Sequence, residues 1–579
     1  MSRISSPLPE PATKGISHES AASEKPASTT VIEHVLSRLR GIGISKVFGV
    51  AGDFAFPIED AIVKSSGIEW VGCCKELNTG YAADGYARIH GIAALNTTCG
   101  VGELSAINAI AGAFAEHLPV FHLVGMPAVP TQAARQTVHH TLGNGEFEVY
   151  RKMAEPVVCA SAIMTPQNVG YETERLIAAA LYHCRPLYMA FPADIASQPV
   201  VSNAAVLDPP KSDSASLGAA VSAIVDALSA GKTGCILPGI LANRTGLRDA
   251  VQAFVDASGL PFATMFGDKS ALDEQQAAYV GIYDGKLMDE AVREFVESCE
   301  YVVMIGAILS DFNTGAFTSN LDPEKTINIR HRSTHVGTKV YPNVEMKDIL
   351  AELTRRVMKR NHRAPIQPTS FGPIKGAGSD PITVDALYSR WEKFLKPKDI
   401  VVAETGTCPM GMGFAHLPTA AEFHNQTLWG AIGWATPAAF GAAVAAPNRR
   451  VVLITGDGSH QLTAQEISQL GRRGLKPVVF VLNNSGYLIE RLLCDNPEFV
   501  YNDIAPWHYS DLPKALGCDE WFTARVTTCG EFDQALKTAS QGDRGAYIEV
   551  VTDKYAASLL AEKLRDNRKT LYSSGSWRG

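Results

Sequence analysis

Two side chains at matched positions define the chemistry this chain can do. Asp457 stands in the run Val451-Val-Leu-Ile-Thr-Gly-Asp-Gly458, and Asn484 in Pro477-Val-Val-Phe-Val-Leu-Asn-Asn-Ser-Gly-Tyr487. Each run is apolar and β-branched and then stops at turn-forming residues. A buried parallel strand delivers polar groups in this way at its C-terminal edge, where open α/β sheets collect ligands. A carboxylate and an amide oxygen are hard donors suited to Mg²⁺, which completes its octahedral shell with waters and phosphate oxygens. Gly458 and Gly486 let the backbone approach a bound group closely. Singly, Gly-Asp-Gly or Asn-Asn is an ordinary turn. Paired at two strand ends with one helix-like stretch between them, Thr463 to Arg473, they describe a metal-held diphosphate site.

The elements that must carry these groups follow from periodicity. From Thr29 amphipathic helices alternate with short apolar strands: Val31 to Leu39 has helical spacing, and Lys46 to Val50, Trp70 to Cys74, Ala93 to Thr98, Val120 to Gly125 and Pro186 to Pro192 read as strands. A polar, Pro-bearing stretch near Ser202 to Ser216 separates a second block with strands at Gly234 to Leu237, Tyr301 to Ile305 and Thr326 to Ile329. A Pro- and Gly-rich segment with Pro365, Pro368 and Pro373 follows, and a third block has strands at Ile400 to Ala403, Val451 to Thr455, Val478 to Leu482 and Tyr547 to Val551. The expected fold is α/β, with three doubly wound parallel sheets: 29–200, 217–360 and 382–579, joined by a linker at 361–381 and preceded by a disordered extension at 1–28. Three similar sheets are a coarse repetition that suggests duplication.

Composition narrows the function classes. The 579 residues carry a net charge of −8 and 46% hydrophobic content, with no Lys/Arg cluster interleaved with aromatics, which argues against nucleic acid as a partner. No apolar stretch approaches the ~20 residues that cross a bilayer. Eleven cysteines are scattered without a Cys-x-x-Cys, so neither a zinc site nor a disulfide framework is expected. The first 28 residues lack an apolar core, and the chain end, Ser-Ser-Gly-Ser-Trp-Arg-Gly, matches no retention signal. A cytoplasmic enzyme is the expectation.

A second acidic candidate is Glu76, in Cys73-Cys-Lys-Glu-Leu-Asn78, just after a strand and at the start of a helix through Gly80 to Tyr86. An acid there can simply favour a helix N-terminus. Yet the stretch from Lys75 to Arg88 resembles the segment of thiamine diphosphate enzymes that carries their activating glutamate, and the paired strand-end motifs resemble the diphosphate signature of the same enzymes. More specifically, the chain from Thr29 to Ala556 resembles the pyruvate decarboxylase family of 2-oxo acid decarboxylases. The stretches that carry the likeness include Phe48-Gly-Val-Ala-Gly-Asp-Phe54, Val138-His-His-Thr-Leu-Gly143, Leu309-Ser-Asp-Phe-Asn-Thr-Gly315, Glu404-Thr-Gly-Thr407, Trp429-Gly-Ala-Ile-Gly433 and Gly486-Tyr-Leu-Ile-Glu490. Adjacent side chains generally point apart, so His139-His140 alone favours a surface loop. In this setting the pair resembles decarboxylases that release aldehydes.

The resemblance implies thiamine diphosphate and Mg²⁺ as cofactors, with Asp457, Asn484 and Gly486 as the metal set. Thr407, Gly430, Ala431, Ile432, Gly458, Ser459, Ser485, Tyr487, Leu488 and Ile489 complete the cofactor site. The same resemblance implies that Glu76 hydrogen-bonds the pyrimidine. Ile432, stiff and β-branched, holds the cofactor bent, and the backbone of Gly430 bonds the aminopyrimidine. Asp53, His139, His140 and Glu490 form the acid–base set. Phe312, Thr405, Pro409, Met410, Ile489 and Leu493 are expected to wall the substrate pocket. The run Cys408-Pro409-Met410 departs from yeast-like members, so branched or aromatic 2-oxo acids stand beside pyruvate, which ranks narrowly first. Ile236 to Arg244 lacks the cysteine pair that resembles the regulatory site of some yeast relatives, so activation through that thiol is not expected. The family's site lies between subunits, which implies a homodimer or a dimer of dimers. The alternatives are an acyloin-forming carboligase and a catalytically silent, cofactor-binding regulatory protein.

Overall fold

The computed structural model describes residues 29–201, 204–360 and 366–572. The extension expected at 1–28 and the last seven residues lie outside the described residues. Three sheets are present. In the first, the spatial order is Glu69–Gly72, Lys46–Gly49, Ala93–Thr98, Val120–Met126, Leu187–Pro192 and Ser161–Ile163, all parallel. In the third it is Glu422–His424, Ile400–Ala403, Val451–Gly456, Val478–Asn483, Ala546–Val551 and Phe522–Val526, again all parallel. Numbered by chain position within each sheet, both orders read 2-1-3-4-6-5. The repetition suggested over three sheets holds as a shared strand order for the outer two, and the middle sheet has a different order.

The middle sheet keeps the expected parallel core and adds an antiparallel edge. Its core strands, including Gly234–Pro238, Tyr301–Ile305 and Thr326–Ile329, are parallel, but Ser333–Val336 and Lys339–Pro342 form an antiparallel hairpin at one edge. The reason is local: Gly337, at φ +56°, sits in the short connection between the two strands, and a connection this short joins antiparallel neighbours, whereas a parallel pair needs a long crossover. The Pro-rich segment from 366 to 381 is a packed strap. Glu392 accepts from Ser370 Oγ at 2.6 Å and from the Phe371 N–H at 2.8 Å, and Phe371 stacks on Tyr388.

The outer sheets are joined by a helix seam. Glu76–His90 packs lengthwise against Ala435–Ala445, and both helices present small residues there. A Cβ on Gly85 would stand 2.1 Å from the Ala438 carbonyl oxygen, and one on Gly441 1.9 Å from that of Ala82. Polar groups in the seam are paired: the Trp434 indole donates to Asp84 at 2.8 Å, Arg88 to the same carboxylate at 2.7 Å, and Asn78 to Glu466 at 2.7 Å. The middle unit is clamped to the third by Lys269, which donates to Glu274 at 2.9 Å and to the Ala415 carbonyl at 2.7 Å, with both side chains 1% exposed.

Candidate active site

In a 2-1-3-4-6-5 sheet the chain turns outward in opposite directions from strands 1 and 3, and the crevice above their C-terminal ends is where ligands settle. Both outer sheets place the candidate residues there. In the third sheet, Ile400–Ala403 leads into Glu404, Thr405 and Gly406, Val451–Gly456 into Asp457, and Val478–Asn483 into Asn484.

These strand ends enclose a cavity of about 330 Å³ whose walls come from residues 405 to 490. Asp457, Asn484, Gly486, Thr407, Ile432, Gly458, Ser459, Tyr487, Leu488, Ile489 and Glu490 all line it. Asp457 is 1% exposed; its carboxylate accepts from the N–H groups of Gly458 at 2.8 Å and Gly486 at 3.2 Å. Burial pushes its pKa up to about 6 against the pull of those donors. A desolvated carboxylate beside a buried amide, both facing one cavity, fits a hard divalent cation, which returns the charge compensation that burial removed. Ala431 and Ser485 line neither this cavity nor the next one. Ala431 donates to Gln426 at 3.1 Å, and Ser485, with φ +59°, is an exposed corner whose N–H bonds Asn483 at 3.2 Å.

A second cavity, about 370 Å³, adjoins the first and shares Thr405, Gly406, Ile489 and Glu490 with it. Phe312, Thr405, Pro409, Met410, Ile489 and Leu493 line it together, with Gly430 at the rim. Sequence reasoning missed Phe266 from the middle unit and Leu564, Leu571 and Tyr572 from the end of the described chain. It also missed Glu404, fully buried between the cavities and the seam. This carboxyl accepts from the N–H groups of Thr405 at 3.1 Å and Ala435 at 3.2 Å and from the Thr455 hydroxyl at 3.3 Å. Burial raises its pKa to about 8. The signal was present in Glu404-Thr405-Gly406-Thr407, an acid directly after an apolar strand.

The first sheet carries a separate cluster. Asp53 opens a short turn after Lys46–Gly49, and its Oδ2 lies 2.6 Å from His139 Nε2, with His140 Nε2 3.6 Å from Oδ1. The two imidazoles therefore converge, with ring centroids 4.6 Å apart, against the expectation that neighbours point apart. The cause is the left-handed backbone of His140, φ +62°. Gly100 makes that turn tolerable: with φ +59°, it lies so close that a Cβ there would stand 1.7 Å from the His140 carbonyl oxygen. Phe54 stacks on His139 at 4.8 Å. Burial pushes the Asp53 carboxyl up, but the hydrogen bonds from His139 and the Phe54 N–H, with the two imidazole charges, outweigh it and hold it below the usual range.

Two further carboxyls brace this cluster. Glu59 accepts from the Gly52 N–H at 3.0 Å, and buried Glu103 accepts from the Gly100 N–H at 2.8 Å and from the Tyr188 hydroxyl at 2.8 Å. Burial lifts each pKa to about 7. Glu76 heads the helix Glu76–His90, half-buried, near the first turn of Val101–Ala115. Glu76, Asp53, His139 and His140 are absent from the walls of both cavities, so one chain holds the two groups of residues apart.

The two groups of residues fall in different segments matched by known families. Three family descriptions match in succession: thiamine pyrophosphate enzyme, N-terminal TPP binding domain, over residues 29–146; the central domain over 221–356; and the C-terminal TPP binding domain over 404–550. An alpha-keto-acid decarboxylase of Mycobacterium ulcerans is 38% identical over 545 residues, covering 92% of this chain and 95% of the relative. The Mycobacterium leprae protein of the same name is 38% identical over 534 residues, covering 91% and 93%. The crystal structure of benzoylformate decarboxylase from Polynucleobacter necessarius superposes with a TM-score of 0.76 at 18% identity, over 91% of this chain and 99% of that one, a likeness of fold. The chain belongs to the thiamine pyrophosphate enzymes and, within them, to the family of the alpha-keto-acid decarboxylases.

Proposed function

We propose that the chain converts a 2-oxo acid to an aldehyde and CO2, holding thiamine diphosphate through Mg²⁺ in the cavity between Thr405 and Glu490. The observation that carries this reading is the convergence of buried Asp457 and Asn484 on a cavity that shares Thr405, Gly406, Ile489 and Glu490 with a second cavity walled largely by aromatic and aliphatic side chains. When bound, the cofactor supplies an electron sink for the pair left by departing CO2.

The chain's own residues do the rest. Asp457, Asn484 and the backbone of Gly486 hold the metal and through it the diphosphate, with Gly458, Ser459, Tyr487 and Leu488 around it. Ile432, the backbone of Gly430 and Glu76 would hold the organic part of the cofactor, Ile432 by packing and the other two by hydrogen bonds. Asp53, His139 and His140 bring a proton to the former carbonyl carbon, and Glu490 bounds the side where that proton arrives. Glu76 and the histidines stand outside the cavity walls of their own chain, which supports a homodimer whose sites lie between subunits, with a dimer of dimers as the larger assembly. The units are assigned as 29–200, 217–360 and 382–579. No described helix is long and apolar enough to cross a membrane, and all eleven cysteines are unpaired, which suits a reducing cytoplasm.

The test is a proton NMR time course with thiamine diphosphate, Mg²⁺ and a 2-oxo acid. Aldehyde as the main product supports the proposal. Acyloin as the main product moves the chain to carboligation, and cofactor binding without turnover of any 2-oxo acid moves it to a regulatory role.

A further inference from the structure

Among the described residues, one group of three histidine, cysteine, aspartate or glutamate side chains brings its ligand atoms within 4.8 Å of one another: Asp53, His139 and His140. Asp53 Oδ2 lies 2.6 Å from His139 Nε2, and Oδ1 lies 3.6 Å from His140 Nε2. Ligand atoms around a tetrahedral zinc ion, at about 2.0–2.1 Å from it, stand about 3.3 Å apart. Small side-chain rotations close the difference. All three side chains reach solvent, His140 the least at 35% exposure, so an ion and a water ligand can approach from the open side.

The group is held in place before any ion arrives. Phe54 stacks on His139 with the planes at 19° and meets His140 edge-on at 6.1 Å, so one ring braces both imidazoles. The Phe54 N–H donates to Asp53 Oδ1 at 2.9 Å, which leaves Oδ2 turned to His139. The loop is closed by the Thr141 hydroxyl, which donates to the Val138 carbonyl at 2.7 Å and accepts from the Gly143 N–H at 3.2 Å. Side chains fixed in this way lose little freedom on ligation.

Donor type separates this group from the strand-end site. Asp457 and Asn484 offer oxygen alone, the preference of Mg²⁺, whereas two imidazoles with one carboxylate suit Zn²⁺ and its neighbours in the first transition row. No arginine or lysine pairs with Asp53 among the described residues, so no fixed cation opposes a metal ion at its carboxylate. Cysteine spacing points away from zinc, but this group contains no cysteine, and its carboxylate and first histidine are 86 positions apart.

We propose that Asp53, His139 and His140 form a second metal site, which takes Zn²⁺ through one carboxylate oxygen and the two Nε2 atoms with water as the fourth ligand, and that the bound ion arrests turnover. A metal on Nε2 uses the lone pair that would otherwise carry a proton, so neither imidazole can pass one on. Binding stands apart from the proposed decarboxylation. The arrest rests on it, because that reading assigns these three residues to proton delivery.

The experiment titrates the full chain, loaded with thiamine diphosphate and with excess Mg²⁺ to fill the strand-end site, with Co²⁺ as a coloured stand-in for Zn²⁺. The expected result is one Co²⁺ per chain with the visible bands of a four-coordinate ion, bleached by Zn²⁺. His139→Gln and His140→Gln are each expected to weaken binding by at least about 10–100-fold, the cost already met when an outer partner of a metal ligand is lost, with unchanged melting curves. Cys74→Ser, at an exposed thiol, leaves binding unchanged. With pyruvate or 4-methyl-2-oxopentanoate, saturating Zn²⁺ lowers aldehyde release by about 100-fold or more, and EDTA followed by fresh Mg²⁺ restores it. Absence of Co²⁺ and Zn²⁺ binding, or binding unmoved in both histidine variants, overturns the site. Binding lost in both variants, with wild-type turnover untouched by Zn²⁺, overturns the arrest. A chain that makes no aldehyde before Zn²⁺ is added, yet binds Co²⁺ through these residues, keeps the metal site and overturns the decarboxylation beneath the arrest.

Discussion

Asp53 and His139 meet at 2.6 Å beyond the C-terminal end of the Lys46–Gly49 strand, with 42% and 60% of their side chains exposed. Exposed pairs of this kind add little to folding, so their geometry serves something else. Asp53→Asn is expected to lower aldehyde release by about 100-fold or more while the thermal midpoint moves by no more than about 2 °C. Steady-state rates and a melting curve on the same preparation check both halves. A loss of activity matched by a collapse of the midpoint would assign the pair to structure.

Asp457 anchors the metal in our proposal. Asp457→Ala is expected to abolish Mg²⁺-dependent binding of thiamine diphosphate, read by titration calorimetry, and to remove the stabilisation the cofactor gives the wild-type chain. That stabilisation is about 2.7 kcal/mol at a hundred times the dissociation constant. Asn484→Ala weakens the same binding, and an unchanged affinity in both variants would reject the metal set.

Mixing Glu76→Gln with Asp457→Ala tests where the site is assembled. Each variant alone is expected to be inactive. A mixed dimer places intact Glu76 and intact Asp457 across one interface, so random mixing restores about a quarter of wild-type activity. No recovery after confirmed subunit exchange would place the whole site within one chain.

Glu404 makes stability depend on pH in a calculable direction. Its pKa rises from 4.5 to about 8 on burial. Between these values the folded chain holds a proton that the unfolded chain releases, so stability falls as pH climbs through that window and levels off above it. The expected span is on the order of 5 kcal/mol. Glu404→Gln flattens this slope, and urea midpoints from about pH 5 to about pH 9 measure it. Parallel slopes in wild type and variant would remove Glu404 as the titrating group.

Glu274→Ala leaves the Lys269 ammonium buried without its carboxylate. Breaking a buried pair in this way costs about 3–5 kcal/mol, and Glu274→Gln, which keeps a hydrogen-bond acceptor, costs less. Thermal midpoints of the two variants check the order.

The sequence was most legible where burial is two-sided. Val451–Gly456 and Val478–Asn483 are continuous β-branched runs because helices cover both faces of their sheet, and their polar ends were plain to see. Ser161–Ile163, Phe262–Thr264 and Glu422–His424 escaped notice because three residues carry no period, and Phe522–Val526 because an edge strand with exposed alternate residues reads like a loop. Many of the residues expected around the two cavities follow recognisable strand ends, and Gly430 and Ile432 came from the family-like stretch Trp429 to Gly433. Phe266, Leu564, Leu571 and Tyr572 do neither: they reach the pocket from distant segments, and nothing local to them marks a wall. His140 shows the same limit at one residue, because a left-handed turn held by Gly100 is a fact about neighbours in space.

The glycine seam between Glu76–His90 and Ala435–Ala445 bears on how this protein can change over time. Gly85 and Gly441 each face a backbone carbonyl across the seam with no room for even a methyl group, so neither helix accepts a larger residue unless the other withdraws. The two outer sheets share a topology and yet are no longer free to drift apart in sequence along this line. Exchange of either sheet for that of a distant relative succeeds only if the incoming helix brings its own gap in the same register, which makes the pair, more than either sheet alone, the unit of inheritance.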